Sequence, residues 1–141
     1  MPWLICFGMS DGGQIHRTDV QVRFGDTDAL GHVNNASFAS FAELGRLDFL
    51  NRFGGSVRSL ILASLYIDFR RQVGFTDEVY VETRVEKLGT TSVTLAQTVF
   101  ANGERAADVR STVVFFDYAN NKARPLTDEM RAAVAPFLES D

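Results

Sequence analysis

The sequence predicts an α+β domain in which one long central helix is wrapped by a curved antiparallel sheet of about five strands. Two observations favour this class. A single long helical pattern lies in the middle region of the chain, and alternating strand patterns stand before and after it. The chain has 141 residues, 45% of them hydrophobic, which is enough for one domain with its own core.

The strands are predicted from alternation of apolar and polar residues and from the turn residues between them. The first covers Ile15 to Phe24, where Val20, Val22 and Phe24 share one face. Asn102-Gly103 is a typical two-residue hairpin turn before the last strand. The later strands are predicted at Ser59–Val73, Glu78–Leu88, Thr91–Ala101 and Arg105–Tyr118. The exposed edges of such an open sheet favour pairing with another chain, so we expect at least a homodimer.

The long helix is predicted over Ala36 to Phe53, and its apolar stripe indicates burial on most sides. The stripe comprises Phe38, Phe41, Ala42, Gly45, Phe49 and Phe53, and is widened by Leu44, Leu47 and Leu50. Because glycine costs roughly 1 kcal/mol relative to alanine inside a helix, Gly45 predicts close approach of the helix backbone to the sheet. Asn34 or Asn35 is expected to cap this helix, and Gly54-Gly55 to end it. Thr127 is expected to cap a short C-terminal helix.

Composition excludes several classes of protein. The net charge of -4 leaves no basic footprint for nucleic acid. The one cysteine, Cys6, can form neither an internal disulfide nor a zinc site, and we expect no metal or cofactor.

Residues 1–13 are interpreted as an N-terminal extension and residues 14–141 as the domain. The apolar stretch in this extension is too short for a membrane span, so we expect a cytoplasmic protein.

The segment just before the long helix carries the candidate chemistry. Asp26, Asp28, His32, Asn34 and Asn35 fall within ten residues. A helix N-terminus offers unpaired N–H groups and about half a positive charge, which would stabilise a developing oxyanion. A nearby carboxylate could attack a carbonyl carbon or deprotonate water. These residues alone do not separate the two aspartates, although turn chemistry favours a structural role for Asp26.

This segment resembles the 4-hydroxybenzoyl-CoA thioesterase-like family of the hotdog fold. The family pattern runs aromatic-x-Asp-x-Asp-x-x-Gly-His-Val-Asn-Asn, followed by aromatic residues and by Glu and Arg on the helix. The matching positions here are Phe24, Asp26, Asp28, Gly31, His32, Val33, Asn34, Asn35, Phe38, Phe41, Glu43 and Arg46. The resemblance implies a hotdog domain that hydrolyses acyl-CoA to the free carboxylic acid and CoA as a homodimer or homotetramer.

The resemblance also implies roles for individual residues. Asp28 becomes the catalytic carboxylate, the backbone N–H of Asn35 polarises the carbonyl, and His32 orients substrate or water. We expect Gly31, Asn34 and Glu43 to be substrate-binding positions, with Glu43 as a reserve base.

Several alternatives stay open. The His-Val-Asn-Asn run is also similar to that of plant acyl-carrier-protein thioesterases, and a non-catalytic acyl-thioester binding module or a dehydratase could use the same fold. His32 is equally well explained as a loop histidine. Glu43 and Arg46 are also explained as an i, i+3 ion pair, and His16 as a surface residue.

Overall fold

One antiparallel sheet and one long helix make up most of the fold. The computed structural model describes residues 13–53 and 57–139, so Gly54-Gly55 and most of the N-terminal extension lie outside the described residues. The elements in chain order are β1 (His16–Val20), α1 (Asn35–Phe53), β2 (Leu60–Phe69), β3 (Val79–Leu88), β4 (Ser92–Ala101), β5 (Glu104–Asp117), β6 (Lys122–Ala123) and α2 (Asp128–Val134). The sheet order is β1-β3-β4-β5-β2, with β6 beside β5. Among the described helices, none combines the length and apolar character needed to cross a membrane.

The predicted order of strand, long helix and four further strands is confirmed. Asn102 and Gly103 turn the chain between β4 and β5 with φ angles of 52° and 82°, as the hairpin signal predicts. Thr127 caps α2 by accepting a hydrogen bond from the N–H of Met130 at 3.1 Å. The first strand is shorter than predicted because it ends at Val20. Phe24, predicted on its apolar face, lies in a 3-10 turn and is 81% exposed.

The sheet is curved by interruptions in its ladders. The register shifts between Leu62 and Ser64 in β2, between Val85 and Lys87 in β3, and between Val99 and Phe100 at the β4–β5 pair. Each irregularity bends the strand and increases its twist. The curved sheet thereby wraps α1, which packs over β1, β3 and β4.

The buried face of α1 divides the core into two apolar clusters. Phe38 and Phe41 belong to the cluster near the start of the helix, and Phe49 and Leu50 to the cluster near its end. The prediction that the helix is buried on most sides is wrong for the single chain. Leu44 and Leu47, at 52% and 40% exposure, occupy the side of α1 turned away from the sheet.

Gly45 lies where α1 approaches the sheet most closely, as its sequence position predicts. A Cβ atom at this residue would stand 2.8 Å from Val81 Cγ1 and 3.0 Å from Gln97 Nε2. We expect Gly45→Ala to lower the free energy of unfolding by about 1–2 kcal/mol, because overpacking outweighs the gain in helix propensity. Urea denaturation tests this, with Ser40→Ala at an exposed position of α1 as control. A Gly45→Ala protein as stable as wild type would contradict the close approach.

His16 is buried, so its interpretation as a surface residue is wrong. Its position at the start of β1 turns the ring inward against α1, where Nε2 lies 2.8 Å from Asp48 Oδ2. The hydroxyl of Thr18 donates to the same oxygen at 2.7 Å. Hydrogen bonds from Thr18 and His16 lower the pKa of Asp48. This cluster therefore joins β1 to the outer flank of α1.

Candidate active site

The segment between β1 and α1 folds as a small hairpin that leads directly into the helix. The N–H of Asp28 donates to the His32 carbonyl at 2.7 Å, and the N–H of Asn34 donates to the Asp26 carbonyl at the same distance. Gly31 completes the turn with a φ of 85°, a conformation that other residues rarely adopt. The two aspartates and the helix start are thus positioned by bonds within one short stretch of chain.

This hairpin is anchored to the segment that follows β2. The N–H of Val33 donates to the carbonyl of Val73 at 2.7 Å, and both side chains are buried in the core. A β-bridge joins His32 to Gly74. The second half of the hairpin is hydrogen-bonded both to its own first half and to the segment after β2. These bonds fix the position of the loop relative to the sheet.

Asp28 presents an exposed and oriented carboxylate. Its Oδ1 accepts hydrogen bonds from the N–H groups of Leu30 at 2.8 Å and His32 at 3.1 Å. These two backbone hydrogen bonds, Leu30 first, lower the pKa of the Asp28 carboxyl. Oδ2 accepts no hydrogen bond within the described part of the chain. Asp28 is therefore ionised at neutral pH and has one oxygen available to a ligand.

Asp26 has a structural environment instead. It is buried, and both carboxylate oxygens contact Arg23: Oδ2 accepts from the backbone N–H at 2.8 Å and Oδ1 from the guanidinium at 3.3 Å. Burial acts to raise the pKa of Asp26, but the hydrogen bonds from Arg23 outweigh it and the pKa is lowered. The structural interpretation of Asp26 fits these contacts, because neither oxygen is free.

Asn34 caps α1 and leaves Asn35 as its first residue. The side-chain oxygen of Asn34 accepts the N–H of Ala36 at 2.9 Å, and its carbonyl accepts the N–H of Ser37 at 2.9 Å. Among the described residues, the N–H of Asn35 has no acceptor. It lies at the positive end of a 19-residue helix. The expected substrate contact of Asn34 stays a prediction, since its oxygen is already used by the cap.

The other predicted residues fall into two groups. Gly31 and His32 lie in the hairpin beside Asp28, whereas Glu43 follows Asn35 by eight residues, about 12 Å along the helix axis. The predicted ion pair is present, with Glu43 Oε2 lying 3.8 Å from Arg46 Nη2. Within residues 13–53 and 57–139, no three His, Cys, Asp or Glu side chains converge in a way that would hold a metal ion.

A buried polar layer goes beyond what the sequence patterns predict. Arg46, Gln97 and Ser111 are at most 4% exposed, although the sequence indicates only an ion pair with Glu43 for the first of them. One feature of the sequence could have indicated this layer. A single polar residue stands among apolar residues at the positions of a strand that face the core. This occurs in Val93-Leu95-Gln97-Val99 on β4 and in Val109-Ser111-Val113 on β5.

Comparisons with known proteins place the chain in a family. A family model described as the thioesterase-like superfamily matches residues 22–134. The chain is 28% identical to the long-chain acyl-CoA thioesterase FadM of Escherichia coli over 87% of this chain and 99% of that protein. It is 26% identical to the acyl-acyl carrier protein thioesterase ATL3 of Arabidopsis thaliana over 95% of this chain and 73% of that protein.

Solved structures agree with this assignment. A thioesterase from Thermus thermophilus, complexed with coenzyme A and Zn, is 35% identical over 84% of this chain and 90% of that chain, with a TM-score of 0.78. A predicted thioesterase from Bacillus stearothermophilus is 25% identical over 91% of this chain and 99% of that chain, with a TM-score of 0.84. The predicted hotdog architecture is confirmed by these matches. The chain belongs to the thioesterase-like superfamily and is a thioester hydrolase.

Proposed function

We propose that the chain hydrolyses acyl-CoA thioesters with Asp28 as the catalytic carboxylate and the Asn35 N–H as the donor to the carbonyl oxygen. One observation carries this proposal. An ionised carboxylate with a free oxygen and an unused helix N-terminal N–H lie on the same short, anchored hairpin segment. These are the two groups that thioester hydrolysis needs: one to attack or to activate water, and one to stabilise negative charge on oxygen.

Two alternative routes of hydrolysis are compatible with these groups. In the first, Asp28 Oδ2 attacks the thioester carbon and expels CoA thiolate. The resulting anhydride is then hydrolysed by water, which restores the carboxylate. In the second, the carboxylate accepts a proton from water as the water oxygen bonds to the thioester carbon; the C–S bond then breaks, CoA leaves as the thiolate and takes up the proton, and the free acid is released. In both routes negative charge develops on the carbonyl oxygen, where the Asn35 N–H and the helix dipole stabilise it.

CoA is favoured over acyl-carrier protein as the carrier. FadM, whose name describes a long-chain acyl-CoA thioesterase, is matched over 99% of its length, and the Thermus thioesterase was solved with coenzyme A. The acyl-carrier-protein thioesterase ATL3 is matched over 73% of its length. Hydrolysis of acyl-carrier-protein thioesters is therefore the second candidate function.

Release of free thiol from a panel of thioesters tests the proposal. The panel comprises short, medium, long and aryl acyl-CoAs, together with acyl-carrier-protein esters of the same chains. We expect the CoA esters to be cleaved more efficiently. If no ester is cleaved, the proposal fails and a binding module becomes the better interpretation.

Single-turnover hydrolysis in H₂¹⁸O tests the anhydride route. Water that attacks the anhydride at the Asp28 carbon leaves ¹⁸O in the enzyme, whereas water that attacks the thioester directly labels only the acid product. Label in Asp28 therefore identifies the anhydride.

The active unit in this proposal is a homodimer, or a tetramer built from two such dimers, formed along β2. This strand is an edge of the sheet, and on its inner face Leu65 and Phe69 are 38% and 46% exposed. Leu44 and Leu47 are exposed on the helix as well. A free edge strand beside exposed apolar side chains favours association with a second copy.

Leu65→Arg is expected to convert the wild-type oligomer to a monomer of 15.6 kDa, because a charged side chain would be buried at the interface. Sedimentation velocity at several protein concentrations measures this. Tyr118→Arg replaces a residue of 60% exposure outside β2 and is expected to leave the assembly unchanged. A monomeric wild-type protein would rule out the proposed assembly.

A further inference from the structure

A polar layer crosses the core between its two apolar clusters. Arg46 is 4% exposed, Gln97 is 2% exposed, and Ser111 is fully buried. Arg46 Nη1, Gln97 Oε1 and Ser111 Oγ each lack a hydrogen-bond partner among the described residues. Buried polar atoms are nearly always hydrogen-bonded in folded proteins, so three open atoms in one layer indicate a missing partner.

Gln97 is held in one orientation by its amide nitrogen. Nε2 donates to the carbonyl of Ala42 at 3.0 Å and to Thr83 Oγ1 at 3.1 Å. The amide oxygen therefore points away from these two groups and is available as an acceptor. Arg46 follows Ala42 by one helical turn, and long side chains on a helix lean toward its N-terminus. Its guanidinium therefore extends over the turn that Gln97 contacts.

Ser111 lies beside Gln97 on the inner face of the sheet. Gln97 pairs with Val109, and Ser111 is the next inward residue along β5. Diagonal neighbours of this kind lie roughly 7–8 Å apart and are within reach of long side chains. The three open atoms thus come from α1, β4 and β5 and belong to the same layer of the core.

The guanidinium of Arg46 has only a weak counter-charge. Glu43 Oε2 stands 3.8 Å from Nη2, which is too long for a hydrogen bond, and the Glu43 side chain is 59% exposed. Burial lowers the pKa of Arg46, and Glu43 opposes that effect. A buried charge without full compensation is costly, so a bound acceptor at Nη1 would be stabilising.

This layer is next to the open side of the fold. Arg46 lies two residues before Asp48, about 200° around the helix, and Asp48 contacts β1. Arg46 therefore occupies the flank that faces β5 and β2. On that side Leu65 and Phe69, on the inner face of β2, are partly exposed.

The layer also stands at a defined distance from the proposed reaction centre. Ala42, which Gln97 contacts, is seven residues beyond Asn35 and hence about 10 Å along the helix axis. An extended acyl chain of roughly eight to ten carbons spans this length at ordinary bond lengths. The polar layer therefore lies within the reach of such a chain when its carbonyl is at the Asn35 N–H.

We propose that Arg46, Gln97 and Ser111 bind a hydroxyl group at the far end of a medium-length acyl chain, and so make the enzyme selective for hydroxylated acyl thioesters. This rests on the proposed function. A hydroxyl accepts from Arg46 Nη1 and donates to Gln97 Oε1 at the same time. A carboxylate only accepts, and would face the fixed oxygen of Gln97. A methyl end leaves all three atoms unpaired.

The test compares decanoyl-CoA, 10-hydroxydecanoyl-CoA and the mono-CoA ester of decanedioic acid. We expect wild type to show a kcat/KM at least about tenfold higher for the hydroxylated chain than for the other two, because the plain chain leaves buried polar groups unpaired. Arg46→Met and Gln97→Leu are each expected to lower kcat/KM for 10-hydroxydecanoyl-CoA by about tenfold or more relative to decanoyl-CoA, so that the preference is lost. Leu50→Met, a buried apolar change on the same flank, keeps the preference. A preference for the decanedioyl ester would overturn the hydroxyl assignment.

Binding of the free acids separates this inference from the proposed function. Calorimetry with decanoic and 10-hydroxydecanoic acid requires no hydrolysis, and thermal melts confirm that the variants are folded. Selective binding of the hydroxy acid without turnover of any ester would support the polar layer and refute the thioesterase mechanism. Hydrolysis of all three esters at similar rates, with equal binding of both acids, would overturn the inference. Buried water would then be the partner of these atoms.

Discussion

Asp28→Asn is expected to lower kcat for thioester hydrolysis by at least about a hundredfold, as for loss of a principal catalytic group. The asparagine side-chain oxygen can still accept the N–H groups of Leu30 and His32, which now bond to Asp28 Oδ1. The hairpin therefore keeps its shape, and the variant loses only the negative charge and the free carboxylate oxygen. The expected defect is chemical and not structural.

Thiol release measures this defect, and circular dichroism checks the fold. Asp19→Asn, which replaces an exposed carboxylate on β1, is the matched control and is expected to act like wild type. Because the pKa of Asp28 is lowered, its carboxylate persists at neutral pH and is lost only as the pH falls through that lowered pKa. The acid limb of wild-type activity should therefore lie below about 3.9, the ordinary value for aspartate. An Asp28→Asn enzyme with wild-type activity would transfer the catalytic role to another carboxylate, with Glu43 as the next candidate.

Asn35→Pro is expected to reduce kcat by about 10²–10³-fold, the usual cost of removing one oxyanion donor. Proline lacks the N–H but is well tolerated at the first position of a helix, where its φ angle fits. Asn34 precedes it as the cap residue, and proline favours extended backbone at the residue before it, which suits a helix N-cap. The substitution therefore removes one hydrogen-bond donor from the site and preserves α1.

Asn35→Ala is the control for this experiment, because it keeps the backbone N–H and removes only the side chain. We expect its kcat to lie within a few-fold of wild type, and both variants to unfold at similar temperatures. If the alanine variant is as impaired as the proline variant, the side chain of Asn35 contributes to catalysis and its backbone N–H does not. If neither variant is impaired, the oxyanion is stabilised elsewhere.

The fold is largely predictable because its signals are local. Alternation in β3 and β4, and the Asn102-Gly103 turn, each depend on neighbouring residues alone. Errors arise where another segment decides the environment. The prediction of a surface position for His16 is wrong because one polar residue at a strand start carries no signal of burial, and its partner, Asp48, comes from α1.

The local structure of the candidate site is predictable for the same reason at the hairpin, whereas the polar layer is not predictable. The hairpin and the helix start lie in consecutive residues, so the motif indicates them together. The sequence does not decide whether Asn34 or Asn35 caps the helix, since both residues suit that position. In the structure the N–H of Ala36 donates to the side chain of Asn34, which identifies Asn34 as the cap. The polar layer depends on how β4 and β5 align beneath α1, and pairing register between distant strands is not encoded in local periodicity.

The continuity of the hairpin segment has an evolutionary consequence. Asp28 and Asn35 are separated by seven positions in the chain and positioned chiefly by backbone hydrogen bonds, so their geometry depends little on the residues that contact an acyl chain. The residues proposed to bind the end of an acyl chain come from other elements, as Gln97 in β4 and Ser111 in β5 do. If that proposal is correct, substitutions in the sheet alter substrate preference while the proposed reactive segment is inherited intact. Diversification of such enzymes is then expected to proceed through the sheet and the helix flank, with the hairpin as the invariant module.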